Sequence, residues 1–146
     1  MHVHSIYATV LACLEDGNLP PIDQNCCTFF NRVVVDNDYG GLALEDEGAR
    51  CATLLTDPQK KVMVMGSHGV LVIGDTVADT FNRLYYFERA AETYIKALQT
   101  GMPLRRIPDD IAEKTARELE QYPDQDVRHL QELKLILDEE GSDYAK

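Results

Sequence analysis

The sequence predicts an α/β domain in which a central, largely antiparallel sheet is covered by helices. Three observations carry that expectation. Two apolar runs, Val62-Met63-Val64-Met65 and Val70-Leu71-Val72-Ile73, flank Gly66-Ser67-His68-Gly69 and read as two buried strands joined by a tight turn. Strand-like and helix-like segments alternate upstream of that hairpin. Downstream, Val77 to Thr100 has the apolar spacing of one long amphipathic helix. A chain of 146 residues is long enough for one real core.

Within the hairpin, Gly66 and Gly69 are expected to allow a left-handed backbone, so that a compact turn projects His68. A polar imidazole raised between apolar strands needs a partner, because burying an unpaired polar group costs a few kcal/mol. Met1-His2-Val3-His4-Ser5 offers one. Alternate residues of a strand face the same side, so His2 and His4 point together, about 7 Å apart along the strand. His2, His4 and His68 are therefore read as one metal site. Each motif alone is common without metal; three imidazoles with an open further position is the layout of a catalytic zinc centre. Such an ion acts as a Lewis acid on a carbonyl or an enolate.

Ser5 reads as the N-cap of a helix over Ile6 to Leu14, with Tyr7, Val10, Leu11 and Leu14 as its buried stripe and Cys13 as a small core residue. Gly17 serves as its C-cap before Pro20-Pro21. Asp23-Gln24-Asn25 is a turn or a lip of the site, and Phe29-Phe30 anchors the following segment. Arg32 to Asp36 is a short strand and Asp38 to Gly41 a turn. Leu44 to Leu55 is helical, with the acidic run Glu45-Asp46-Glu47 a solvated helix start rather than a set of ligands. Asp75 or Thr76 caps the long helix, whose face is drawn by Phe81, Leu84, Tyr85, Glu88, Ala91, Ile95 and Leu98. Glu88 is expected to bond a nearby Tyr or Arg (Arg83 or Arg89), and Tyr85-Tyr86-Phe87 with Tyr94 to be core or subunit interface. Gly101 and Pro103 close this helix. Two more follow, Asp109 to Gln121 and Gln125 to Glu139, before a disordered tail from Gly141. His129, in the last helix, is expected to be solvated.

A net charge of −11 argues against nucleic acid or an anionic membrane as partner. No stretch approaches the roughly 20 apolar residues of a membrane span. The N-terminus has no signal-peptide pattern, and Cys13, Cys26, Cys27 and Cys51 form no C-x-x-C pair, so reduced thiols in a cytoplasmic protein are expected. The strands are too few for a complete sheet of this type, and the chain opens directly on a functional-looking segment. Missing elements are therefore expected upstream of Met1.

His2-Val3-His4-Ser5-Ile6-Tyr7-Ala8-Thr9, Gly66-Ser67-His68-Gly69, and the helix from Asp75-Thr76-Val77-Ala78 through Tyr85-Tyr86-Phe87-Glu88-Arg89-Ala90-Ala91-Glu92 stand in the order of the class II aldolase/adducin family. Over residues 1 to about 101 the sequence resembles that family, which includes fuculose-phosphate aldolase. The resemblance implies a three-layer domain over residues 1–121, lacking its N-terminal elements, with residues 122–146 as a C-terminal helix and flexible tail. It implies His2, His4 and His68 as ligands of a divalent metal, Zn2+ above others. It further implies carbon–carbon bond cleavage or decarboxylation of a small carbonyl, hydroxy-acid or sugar-phosphate substrate through a metal-stabilised enediolate, and a homo-oligomer with sites near subunit interfaces. The family's acid/base lies upstream of the H-x-H pair, so no residue of this chain is assigned to it. The alternatives are a non-catalytic, adducin-like interaction module and an inactive truncated fragment.

Overall fold

The computed structural model describes residues 1–38, 41 and 46–145, with the Asp46 side chain not described. Its elements are β1 (His2–Val3), α1 (Ile6–Ala12), α2 (Gln24–Thr28), β2 (Val33–Asp36), α3 (Asp46–Leu54), β3 (Val62–Met65), β4 (Gly69–Val72), α4 (Val77–Gln99), α5 (Asp109–Glu120) and α6 (Gln125–Glu139). The sheet order is β1-β4-β3-β2. β1–β4 and β4–β3 are antiparallel, and β3–β2 is parallel. The expected α/β sheet, largely antiparallel, is what forms. Half of the turn at Asp38 to Gly41 and the first residues of the helix expected from Leu44, Glu45 included, lie outside the described residues.

Alternation along β3 and β4 divides the apolar residues between two faces. Val62, Val64, Val70 and Val72 face a large core with Ala8, Leu11, Phe29, Phe87, Ala90 and Ala91. Met63 and Met65 face a smaller cluster with Cys51 and Leu54 of α3. Helices thus cover both faces, giving three layers. α5 packs mainly on α2, and α6 on α4.

Several local expectations are corrected. α1 ends at Ala12, capped at Cys13, two residues short of Leu14. Its buried face is Ala8, Leu11 and Ala12, while Val10 is 39% exposed and Cys13 is exposed. The small alanines let α1 approach the sheet closely, which turns Val10 and Cys13 outward. Gly17 does not cap the helix. It is a packing glycine, where a Cβ would lie 3.3 Å from both Val35 Cγ1 and Val64 Cγ1. Asp23-Gln24-Asn25 opens α2, with Asp23 capping it by accepting the Cys26 N–H at 2.7 Å. α4 begins on Thr76, whose hydroxyl accepts from Asp79 N at 3.0 Å. Its innermost residues are Phe87, Ala90, Ala91 and Ile95, and Tyr85 and Leu98 stand outside that face. At the other end Gly101 takes φ 67°, the left-handed turn that favours glycine. The tail, expected to be disordered, is described to residue 145 and begins with Ser142 N donating to Leu137 O at 2.9 Å.

Candidate metal centre

The site is built where β1 meets the β3–β4 turn. β1 joins the sheet edge in the register His2↔Leu71 and Val3↔Val70. The Met1 ammonium donates to Val72 O at 2.8 Å, and Val72 N donates to Met1 O at 2.8 Å. The turn is held from three sides: Gly66 N donates to Asp36 O at 2.7 Å, Ser67 N to Ala12 O at 2.8 Å and His68 N to Met65 O at 3.0 Å.

The left-handed residue of this turn is Ser67, at φ 57°, and not either glycine. Gly69 is required for a different reason. A Cβ there would lie 2.5 Å from Val3 O and 2.8 Å from His4 Cδ2, so β1 can lie this close only to a residue without a side chain.

The structure brings His2, His4 and His68 together. Ring centroids are 5.0 Å apart for His2–His4, 4.7 Å for His2–His68 and 4.8 Å for His4–His68. One nitrogen from each ring lies within 4.8 Å of the others. His2 and His4 are exposed and His68 is half-buried, so the cluster is open to solvent.

The hydrogen bonds fit a cation. His2 Nδ1 lies 3.1 Å from Val70 O. A carbonyl only accepts, so Nδ1 carries the proton and Nε2 presents a lone pair. That Nε2 is 3.1 Å from His4 Nε2. Two such nitrogens at that distance need a proton or a shared cation between them, and the separation is close to the edge of a tetrahedron with metal–nitrogen bonds of about 2.0–2.1 Å. A carbonyl behind a ligating imidazole is also the usual arrangement that sets its tautomer. Partial burial holds the His2 pKa below the ordinary imidazole value; the Val70 carbonyl opposes this, and His68 and His4 reinforce it. A ring that stays neutral is a ring that can ligate.

One carboxylate borders the cluster and a second holds the chain that follows it. Glu47 Oε1 lies 3.8 Å from His68 Nδ1 and 3.9 Å from Arg50 Nη2, and Arg50 also pairs with Asp36. Glu47 is therefore turned toward the site rather than simply solvated at a helix start. Glu88 bonds neither Arg83 nor Arg89 in the way its sequence neighbourhood suggests. It accepts from Ser5 Oγ at 2.7 Å, Tyr7 N at 2.8 Å and Ala8 N at 2.9 Å. Ser5 occupies the N-cap position, but its own side chain makes no cap bond.

His129 lies apart from the cluster and is not simply solvated. Its Nδ1 is 2.8 Å from Asn82 Oδ1, and its ring packs 4.6 Å from Tyr85 and 5.6 Å from Phe81. No local sequence feature announced that α6 would fold back over this part of α4.

Residues 1–95 match the family model described as Class II Aldolase and Adducin N-terminal domain. The chain belongs to that family. It is 28% identical over 120 residues to "Decarboxylase NovR" of Streptomyces niveus, covering 82% of this chain and 43% of the relative. Its fold matches an aldolase II superfamily protein from Pseudomonas syringae with a TM-score of 0.85 and 30% identity, over 100% of this chain and 58% of the other. It also matches the L-fuculose 1-phosphate aldolase of Glaciozyma antarctica with a TM-score of 0.78, over 97% of this chain and 53% of the other; at 21% identity that likeness is one of fold. The chain thus spans about half the length of these relatives.

Proposed function

We propose that the chain is a metal-dependent carbon–carbon lyase of the class II aldolase family, acting on a small carbonyl or hydroxy-acid substrate. In this reading His2, His4 and His68 hold a divalent ion, with Zn2+ the best match to an all-imidazole donor set. The single observation that carries it is the convergence of three imidazole nitrogens within 4.8 Å at an open edge of the sheet. When bound, such an ion supplies Lewis acidity toward a substrate carbonyl or hydroxyl oxygen. The chain's own part is to hold that donor set in place. The Val70 carbonyl fixes the His2 tautomer, Gly69 lets β1 lie against the turn, and Glu47 stands behind His68. The activities of two relatives, a decarboxylase and an L-fuculose 1-phosphate aldolase 26% identical to the chain, support carbon–carbon cleavage and leave the substrate to be chosen between a carboxylated and a phosphorylated hydroxy compound.

The same reading places the working unit in residues 1–121, with residues 122–146 an appendage; α6, which has no fully buried residue, supports that division. It takes the protein to be cytoplasmic and homo-oligomeric, in line with the family. Among the described residues no helix is long and apolar enough to cross a membrane.

The second reading is a non-catalytic module of the adducin type, favoured by likeness to the gamma-adducin of Homo sapiens, 28% identical over 98 residues. Metal content separates the two. The lyase reading predicts about one divalent ion per chain and a loss of stoichiometric metal in His68→Ala. Unchanged metal in that variant would exclude the three-histidine site, and a folded, metal-free wild type would favour the module. With metal present, retro-aldol and decarboxylation substrates are then screened for turnover that depends on it.

A further inference from the structure

The H-x-H pair is carried by a strand of only two residues, and His4 already lies past its end. Two hydrogen-bonded registers with β4 hold His2 and Val3. Ser5 and the first turn of α1 follow His4 directly in the chain. A seven-residue helix is too short to persist by itself, and its first N–H groups have no partner within the helix. Here those groups are satisfied from another element. One carboxylate, Glu88 in the middle of α4, takes Ala8 N–H and the Ser5 hydroxyl on Oε2 and Tyr7 N–H on Oε1. The residues around Glu88 on α4, Phe87, Ala90 and Ala91, are fully buried, so its backbone is rigidly placed in the core. α1 and α4 also pack against each other.

We infer that Glu88 is a positioning residue for the histidine cluster: by clamping Ser5 and the first turn of α1, it sets where His4, and with it the H-x-H pair, stands relative to His68. The inference rests on the metal reading above for its consequence, though the clamp itself is a feature of the fold. Glu88 is 83 residues from Ser5 in sequence, and it acts on His4 through a peptide bond, not through the ion. The Ser5 hydroxyl adds a third bond next to His4 itself, which a generic helix cap does not require.

The test uses the full chain, stripped of metal and titrated with Co2+, whose visible absorption reports the number and geometry of its ligands. Supporting groups behind a metal site change affinity by about tenfold to a hundredfold. Glu88→Ala is expected to bind Co2+ at least about tenfold more weakly, with an altered absorption envelope. Glu88→Gln keeps one acceptor oxygen, enough for Ala8 N–H and the Ser5 hydroxyl, but sets its NH2 against Tyr7 N–H, and should fall between wild type and Glu88→Ala in spectrum and affinity. Ser5→Ala removes one bond of the three, folds even if Glu88→Ala does not, and should show a smaller change in the same direction. A merely structural role would lower the melting temperature of all three variants without altering the spectrum of the bound ion. A wild-type spectrum and affinity in Glu88→Ala would overturn the inference. Failure of the metal reading looks different, because wild type and His68→Ala would then bind Co2+ equally poorly. In that event the imidazole resonances of metal-free protein decide: the clamp requires those of His2 and His4 to move in Glu88→Ala while His129 stays, and unmoved signals overturn it.

Discussion

The edge of the sheet that carries the histidines and the C-terminal pair α5–α6 are held to the same core by different forces. At the sheet edge, backbone hydrogen bonds and full burial hold β1 and the turn, and Glu88 adds a side-chain clamp behind them. β1 is paired to β4, the turn is tied to Asp36 and Ala12, and the side chains beneath are fully excluded from water. The C-terminal helices rest on side-chain polar contacts. α5 buries only Ala112 and Ala116, and α6 has no buried residue. What secures α5 is Arg32, 3% exposed, which donates through Nε to Glu120 at 2.9 Å and through Nη1 to Glu113. α6 lies on α4 through His129 and its aromatic neighbours. Backbone pairing and apolar burial depend little on pH or salt, whereas an ion-paired clamp depends on both. The site is therefore expected to outlast the loss of the C-terminal helices.

That contrast can be broken from either side. The largest effect is expected from Arg32→Ala, which leaves two carboxylates facing an emptied buried position. Glu113 and Glu120 keep 22% and 46% of their side-chain surface, so the loss is that of Arg32's charged hydrogen bonds, about 1.5–3 kcal/mol each before solvent screening, measurable as a lowered denaturant midpoint, while metal stoichiometry should hold. Gly69→Ala should do the reverse. Its Cβ would clash with Val3 O and His4 and must push β1 off the turn, at about 1–3 kcal/mol for an overpacked contact, and metal affinity should fall out of proportion to that stability loss. If both variants lost metal and stability in the same ratio, the two regions would be one cooperative unit.

The smallest effect is the response to acid. Hydrogen bonds from Arg32 and then Arg117 hold the Glu113 carboxyl down at about 2. For Arg32 itself, burial alone would lower the pKa, but the bonds to Glu120 and Glu113 outweigh it and raise the value. Glu113 is thus depressed in the folded state. Its contribution is present above the ordinary glutamate range, about 4.3, and is lost progressively as pH falls from there toward about 2. Peptic cleavage near α5, followed across that window, should accelerate before the sheet unfolds. Solvent screening keeps the effect modest, since Glu113 keeps 22% of its side-chain surface. Cleavage that keeps step with global unfolding would count against a separately held α5.

The same contrast explains what could be read from the sequence. Elements defined by periodicity and punctuation were legible: β3 and β4 as valine-rich runs, α4 from its Thr76 cap to Gly101, and α5 and α6 around Tyr122-Pro123-Asp124. The convergence of the three histidines was also readable, because alternation suggested that His2 and His4 share a side and the hairpin lifted His68 toward them. Features that depend on close approach between distant segments were not. α2 is too short to show a period. Gly17 and Gly69 are glycines for lack of room, which looks the same in sequence as a turn glycine. The positive φ went to Ser67, a polar residue able to tolerate it, and not to the glycines on either side. The partners of Glu88 lie about 80 residues away or more, and no local pattern reports them.

The most direct test of the three-histidine centre is elemental analysis of untagged wild-type protein beside His68→Ala. The predicted result is about one divalent ion per wild-type chain, zinc foremost, and a substoichiometric amount in the variant at unchanged far-ultraviolet circular dichroism. Equal metal in both, or none in a folded wild type, would contradict it.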